Sequence, residues 1–172
     1  MDLSAERSVR AHPPLLLFSS LFSLSFVVAC VDPASPGAVV INELCADNND
    51  AWDAPIGGSP DWVELYNTTE STISLAGWSL HEPDDDPIPW PDDAEIGAGE
   101  HLVLAAELGL DGFAAPFNLS TSEGWLMLSN AEGEPQDWTT WADLAEDRAW
   151  ARVGDAGLAW ADQTPSAGEA NP

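Results

Sequence analysis

Asp61-Trp62-Val63-Glu64-Leu65-Tyr66-Asn67 decides the fold. Successive side chains of an extended chain point to opposite faces, so Trp62, Glu64 and Tyr66 share one face and Val63 and Leu65 the other. That is the pattern of a β-strand. Upstream, Val39 to Cys45 reads as a second strand. Downstream, 73–75 and 78–82 read as a hairpin around Ala76-Gly77, and 101–106 follows the turn Gly97-Ala98-Gly99. The segments 124–129 and 136–141 bracket a hairpin loop, Asn130-Ala131-Glu132-Gly133, and 149–153 with 158–160 predict a last hairpin. A 3.6-residue period is nowhere sustained for a full helix; 105–110 and 142–147 each predict one helical turn. Short strands recurring every 8 to 12 residues or so predict an all-β sandwich or barrel. No internal repeat of about 20 to 50 residues points to a propeller or solenoid.

The motifs also carry a resemblance. Val40-Ile41-Asn42-Glu43-Leu44, Asp61 to Asn67, Leu75-Ala76-Gly77-Trp78-Ser79-Leu80, Gly99-Glu100-His101-Leu102-Val103-Leu104, Phe117-Asn118-Leu119-Ser120 and Gly124-Trp125-Leu126-Met127-Leu128 stand in order. Trp150-Ala151-Arg152 and Thr164-Pro165-Ser166-Ala167-Gly168-Glu169-Ala170-Asn171 close the series. Together, over residues 39–171, they resemble the lamin tail domain, the module at the C-terminus of nuclear lamins and in exported bacterial proteins. The resemblance implies an immunoglobulin-like β-sandwich that works as an interaction module, with no catalytic residues of its own. The chain departs from the pattern in its acidic loops, 46–60 and 83–93, and at Ala149, where the family often has serine.

The chain has 172 residues, 30 of them acidic against 4 arginines and no lysine, for a net charge of −26. Nucleic-acid binding is driven by Lys and Arg neutralising phosphate, and anionic lipid attracts polybasic segments, so this composition argues against both as partners. Residues 1–29 read as a leader: Arg7 and Arg10, then an apolar run from Leu15 to Ala29 diluted by serines. Val27-Val28-Ala29-Cys30 resembles a bacterial lipobox, which implies diacylglyceryl transfer to the Cys30 thiol, cleavage after Ala29 and acylation of the new amine. An uncleaved anchor or an ordinary secretory leader are the alternatives. The expected organisation is a lipoprotein signal peptide at 1–29, a lipidated Cys30 and linker at 30–38, and a lamin-tail-like sandwich at 39–172. The membrane is then a partner through the acyl chains on Cys30. Val31 after Cys30, by resemblance to enterobacterial sorting, implies the outer membrane of a bacterial cell envelope.

Candidate binding residues are few. Asp47, Asp50 and Asp53 in one loop, and Asp84, Asp85 and Asp86 in another, are the hard oxygen donors calcium takes, or a solvated acidic surface. The first loop lacks the oxygen and the glycine an EF-hand places at its fifth and sixth positions. Trp52 and Trp90 in those loops, and Trp125 on an outward face, are candidates for stacking on a glycan or anchoring a protein partner, although Trp90 also suits a fold back over the sandwich end. His81 and His101 read as surface or edge residues without zinc spacing, Cys45 as a small buried hydrophobe, and Arg148 and Arg152 as ion-paired. No nucleophile elbow, phosphate loop or dinucleotide fingerprint is present, and in so acidic a chain the pairing of Glu43 with Glu64 carries no signal of a glycosidase. The sequence predicts a lipid-anchored, non-enzymatic interaction module without a resident cofactor. The alternatives are a calcium-dependent adhesion or carbohydrate-binding domain and, in a third class, an envelope hydrolase.

Overall fold

The computed structural model describes residues 37–55, 57–82 and 85–172; the leader, Cys30 and Asp84 lie outside them. The described chain is all-β. Strands β1 (Val39–Cys45), β2 (Asp61–Asn67), β6 (His101–Ala106), β9 (Ala149–Arg152) and β10 (Trp160–Gln163) form a five-stranded antiparallel sheet in the order β10-β9-β1-β2-β6. A second sheet holds β4 (Ser79–His81), β7 (Glu123–Ser129) and β8 (Pro135–Ala142) in the order β4-β7-β8, and β3 (Ile73–Ser74) pairs with β5 (Glu95–Ile96).

The core follows from the alternation. Val63 and Leu65 of β2 face Leu104 of β6 and Leu126 and Leu128 of β7 within one buried cluster. In β1 the parity changes midway, since Val39 and Ile41 lie in the core, and so do Leu44 and Ala46. A β-bulge explains it. Ile41 pairs with Leu65 but Glu43 with Glu64, so Asn42 is the extra residue, and both halves of β1 keep their apolar side inward.

One edge of the sandwich is closed by a buried ion pair. The Arg152 guanidinium on β9 donates to both carboxylate oxygens of Asp137 on β8, at 3.0 and 2.8 Å, and to the carbonyls of Ile41 and Gly157. It also lies 4.7 Å above the Trp160 ring, which stacks on Trp150. Burial pushes the Asp137 carboxyl above its usual range, and Arg152 with the N–H groups of Ile41 and Trp138 only partly offsets it. The pair therefore sets how the sheets meet more than it adds net stability.

Three expectations need correction. Segments 73–75 and 78–82 are not a hairpin: Leu75 O accepts from Trp78 N across Ala76-Gly77, but β3 pairs with β5 and β4 with β7. Strand β5 carries no pattern of its own in the sequence. The expected helical turns are single reverse turns, closed by Leu110 N to Glu107 O and Arg148 N to Ala145 O. Arg152→Met should strand the buried Asp137 carboxylate without its countercharge, with only the N–H groups of Ile41 and Trp138 left as donors, and should take a donor from the carbonyls of Ile41 and Gly157, costing about 3 kcal/mol in a urea titration, whereas Asp137→Asn, which can still accept from Ile41 N, should cost about half that. A loss below about 1 kcal/mol for Arg152→Met would mean the edge is held by packing alone.

Candidate functional site

Period-2 alternation puts Glu64 on the face of β2 turned away from the core, yet Glu64 is fully buried, and so is its cross-strand partner Glu43. The C-terminal residues 164–171 and the 153–158 loop cover them. Glu43 accepts from Ser166 N (3.0 Å to Oε1) and Ser166 Oγ (2.9 Å to Oε2). Glu64 accepts from Asn42 Nδ2 at 2.9 Å and Gly168 N at 2.7 Å. All four carboxylate oxygens are thus engaged. The bulge residue Asn42 is the hub, because its amide also donates to Asp155, its side-chain oxygen accepts from Ala156 N, and its carbonyl accepts from Asn171 Nδ2.

His101 belongs to this cluster, not to the surface. Its ring stacks on Tyr66 at 4.6 Å, and Nε2 lies 3.0 Å from Asp155 Oδ1, although its N–H does not point squarely at that oxygen. Burial is the main cause pushing the Glu43 carboxyl up to about 7, with Glu64 adding to it, while Ser166 and His101 pull it down. Burial also raises Glu64, against Asn42 and Gly168. Asp155 goes the other way: burial opposes, but Asn171 N–H, His101 and Asn42 together hold it below its usual range. Two adjacent carboxyls whose proton affinity burial raises would suit acid–base chemistry if a substrate could reach them. Here their lone pairs face the chain's own backbone.

The expected surface residues are scattered. In the 46–60 loop, Asp147 Oδ1 accepts from the N–H groups of Asn49, Asp50 and Ala51, and those donors hold its carboxyl below the usual range. The loop turns N–H groups inward onto a carboxylate, while Asp47, Asp50 and Asp53 stand exposed. Among the described residues no group of three or more His, Cys, Asp or Glu side chains could hold a metal ion. Trp52 is half-buried, 6.4 Å from Trp62. Trp90 is no binding surface: it is buried in the core, donates Nε1–H to Ala114 O at 2.9 Å and meets Phe113 edge-on. An apolar ring with one polar atom is stable inside once that atom has its acceptor. Trp125 is half-buried opposite Thr140. The more open indole is Trp138, 53% exposed on β8. Cys45 is buried, and its thiol is pushed up to about 12 chiefly by that burial, so it is no nucleophile.

A protein-family model, the lamin tail domain, matches residues 32–143, more than half of the chain. No curated protein matches it. Strand β9, the 153–158 loop and residues 164–171 lie beyond the matched span, yet they supply Arg152, Asp155, Ser166, Gly168 and Asn171 to the buried network.

A carboxyl with a raised pKa in the folded state binds its proton more tightly there than in the unfolded chain. Its contribution is complete below about 4.5 and is lost as pH rises through about 7. Glu64 has the same sign; Asp155, lowered, contributes stability that is complete above its ordinary value of 3.8 and is lost as pH falls below it, outside the pH 5 to 8 window. Between pH 8 and pH 5 the domain should therefore gain about 2 kcal/mol in urea unfolding. Glu43→Gln, which cannot titrate, should flatten that gain by half or more. An undiminished gain in Glu43→Gln would place the linkage elsewhere.

Proposed function

Because the chain belongs to the lamin tail domain family, an Ig-like family not known for catalysis, we propose that it is a lipid-anchored, exported interaction module of a bacterial cell envelope and not an enzyme. One observation carries the non-enzymatic reading: the four oxygens of Glu43 and Glu64, the pair best suited to acid–base work, bind Asn42 and the backbone and hydroxyl of the C-terminal segment. What remains at the surface is an acidic shell with exposed apolar side chains, the equipment of a recognition domain.

The anchor is supported by Val27-Val28-Ala29-Cys30 at the end of an apolar leader. A thioether to diacylglycerol at Cys30, with an acylated amine after cleavage at Ala29, gives the two or more chains that stable membrane attachment takes. Val31 favours the outer membrane. The linker beyond it reaches at most about 29 Å. Its end is fixed to the sandwich, Thr68 donating from Oγ1 to Gly37 O at 3.0 Å and from N to Ala38 O at 2.9 Å. The tether therefore enters where β1 begins. Strand β6 runs the same way as β1, because both are antiparallel to β2. The loops after Cys45 and after Ala106 then face away from the membrane.

Radiolabelled palmitate fed to a bacterial host should enter the wild-type chain and leave Cys30→Ala unlabelled, and the variant should stay behind when membranes are floated. Equal labelling of the two would remove the anchor. Turnover by the purified chain in a broad hydrolase panel, lost in Glu64→Gln, would remove the non-enzymatic reading.

A further inference from the structure

The loop after β6 and the segment after β4 enclose a surface groove of about 230 Å³. Leu80, Pro116 and Phe117 line it, and Ile88 and Leu108, 57% and 75% exposed, stand along it. Asp85 and Asp86 complete the wall with His81. The groove is built rather than incidental. Ala115 N donates to Ala105 O at 2.9 Å, Glu107 N to Ala115 O at 3.1 Å, and Trp90 Nε1 to Ala114 O, so the far side of the loop is stitched to β6 and to the core. A preformed groove loses little freedom on binding.

Its size and charge narrow the occupant. Small-molecule sites hold roughly 300–1,000 Å³, so this one suits a single long side chain. Apolar walls beside two exposed carboxylates match an aliphatic stem ending in a cation, the form of Arg and Lys. Burial lowers the pKa of His81, against the pull of Asp85, so His81 adds no positive charge at neutral pH to repel one. The chain cannot supply that cation from its own described residues: it has no lysine, Arg148 binds Asp162 and Arg152 binds Asp137. A second copy, at −26, would be repelled.

We propose that this groove receives a basic segment of a partner protein, with one Arg or Lys side chain laid along Leu108 and Phe117 and its charged head between Asp85 and Asp86. The proposal rests on the interaction-module reading and names the partner's chemistry. The groove follows β6, at the end of the sandwich opposite the tether.

Three rhodamine-labelled heptapeptides test it by fluorescence anisotropy on the full-length chain in neutral detergent: Gly-Ser-Leu-Arg-Leu-Ser-Gly, the same with Gln for Arg, and the same with Ser for both Leu. The Leu-Arg-Leu peptide should bind about tenfold tighter than either control. Asp85→Asn with Asp86→Asn should weaken it about tenfold, and Leu108→Ser about fivefold. Glu132→Gln with Glu134→Gln, the same charge change on the β7–β8 turn, should leave it unchanged. Equal binding of all three peptides, equal weakening by the two acidic pairs, or no binding overturns the proposal. A photo-crosslinker at position 108 or 138 in the native envelope separates this from the broader reading. A specific adduct from 138 with none from 108 keeps the interaction module and overturns the groove, whereas no adduct from either, with no peptide bound, removes both.

Discussion

Two carboxylates opposite each other on neighbouring strands repel, and burying them costs more still. Glu43 and Glu64 are held in that position, and much of the molecule is arranged to permit it. The bulge at Asn42 places an amide where Glu64 needs a donor. It also shifts the register so that Glu43, and not an apolar neighbour, faces outward. The C-terminal segment supplies the other donors: Ser166 N–H and hydroxyl, and Gly168 N–H. A proton on Glu43 near neutral pH relieves the remaining repulsion. The last residues are therefore part of the sheet's outer layer, although no strand runs there. In return the carboxylates fix where the chain ends, because Asn171 is drawn back to Asn42 O and Arg152 O.

Charge is handled differently at the edge and at the surface. Of the two described cations, Arg152 is buried and joins the sheets through Asp137, while Arg148 holds Asp162 in the open. A buried pair with five donors in a fixed fork aligns strands; an exposed pair adds little. The many other carboxylates lie in solvent and repel one another, which keeps the domain soluble and biases any partner toward positive charge.

Strands with strong local pattern were legible from sequence. Alternation in Asp61 to Asn67 located β2 to the residue, and β1 and β6 likewise, because each pairs along its length and buries one apolar side. The neighbours of β3 and β4 were not legible. Ala76-Gly77 is a turn by its chemistry, with Gly77 at φ 74°, but a reverse turn does not fix whether its arms pair with each other or enter different sheets. The buried carboxylate pair was hidden for a related reason. Glu64 sits on the polar side of its strand, and what covers that side is Gly168, 104 residues away. The one local hint was Asn42-Glu43 inside an apolar run, two polar residues where alternation permits one. Trp90 lies among acidic and proline residues and its acceptor, Ala114 O, is remote, so the sequence leaves both readings of it open, and the structure bears out the fold back over the sandwich. In the acidic loop the N–H groups of Asn49, Asp50 and Ala51 meet Asp147, an anion from another segment, a contact with no local signal in the sequence.

Amide hydrogen exchange at Ser166 and Gly168 tests the central claim most directly. These N–H groups belong to no strand, and their acceptors are the buried carboxylates of Glu43 and Glu64. If that pair clamps the C-terminal segment into the fold, both amides should exchange only with global unfolding, as slowly as those of β1 and β2. Exchange of Ser166 and Gly168 at the rate of a fraying terminus, with β1 and β2 still protected, would contradict it.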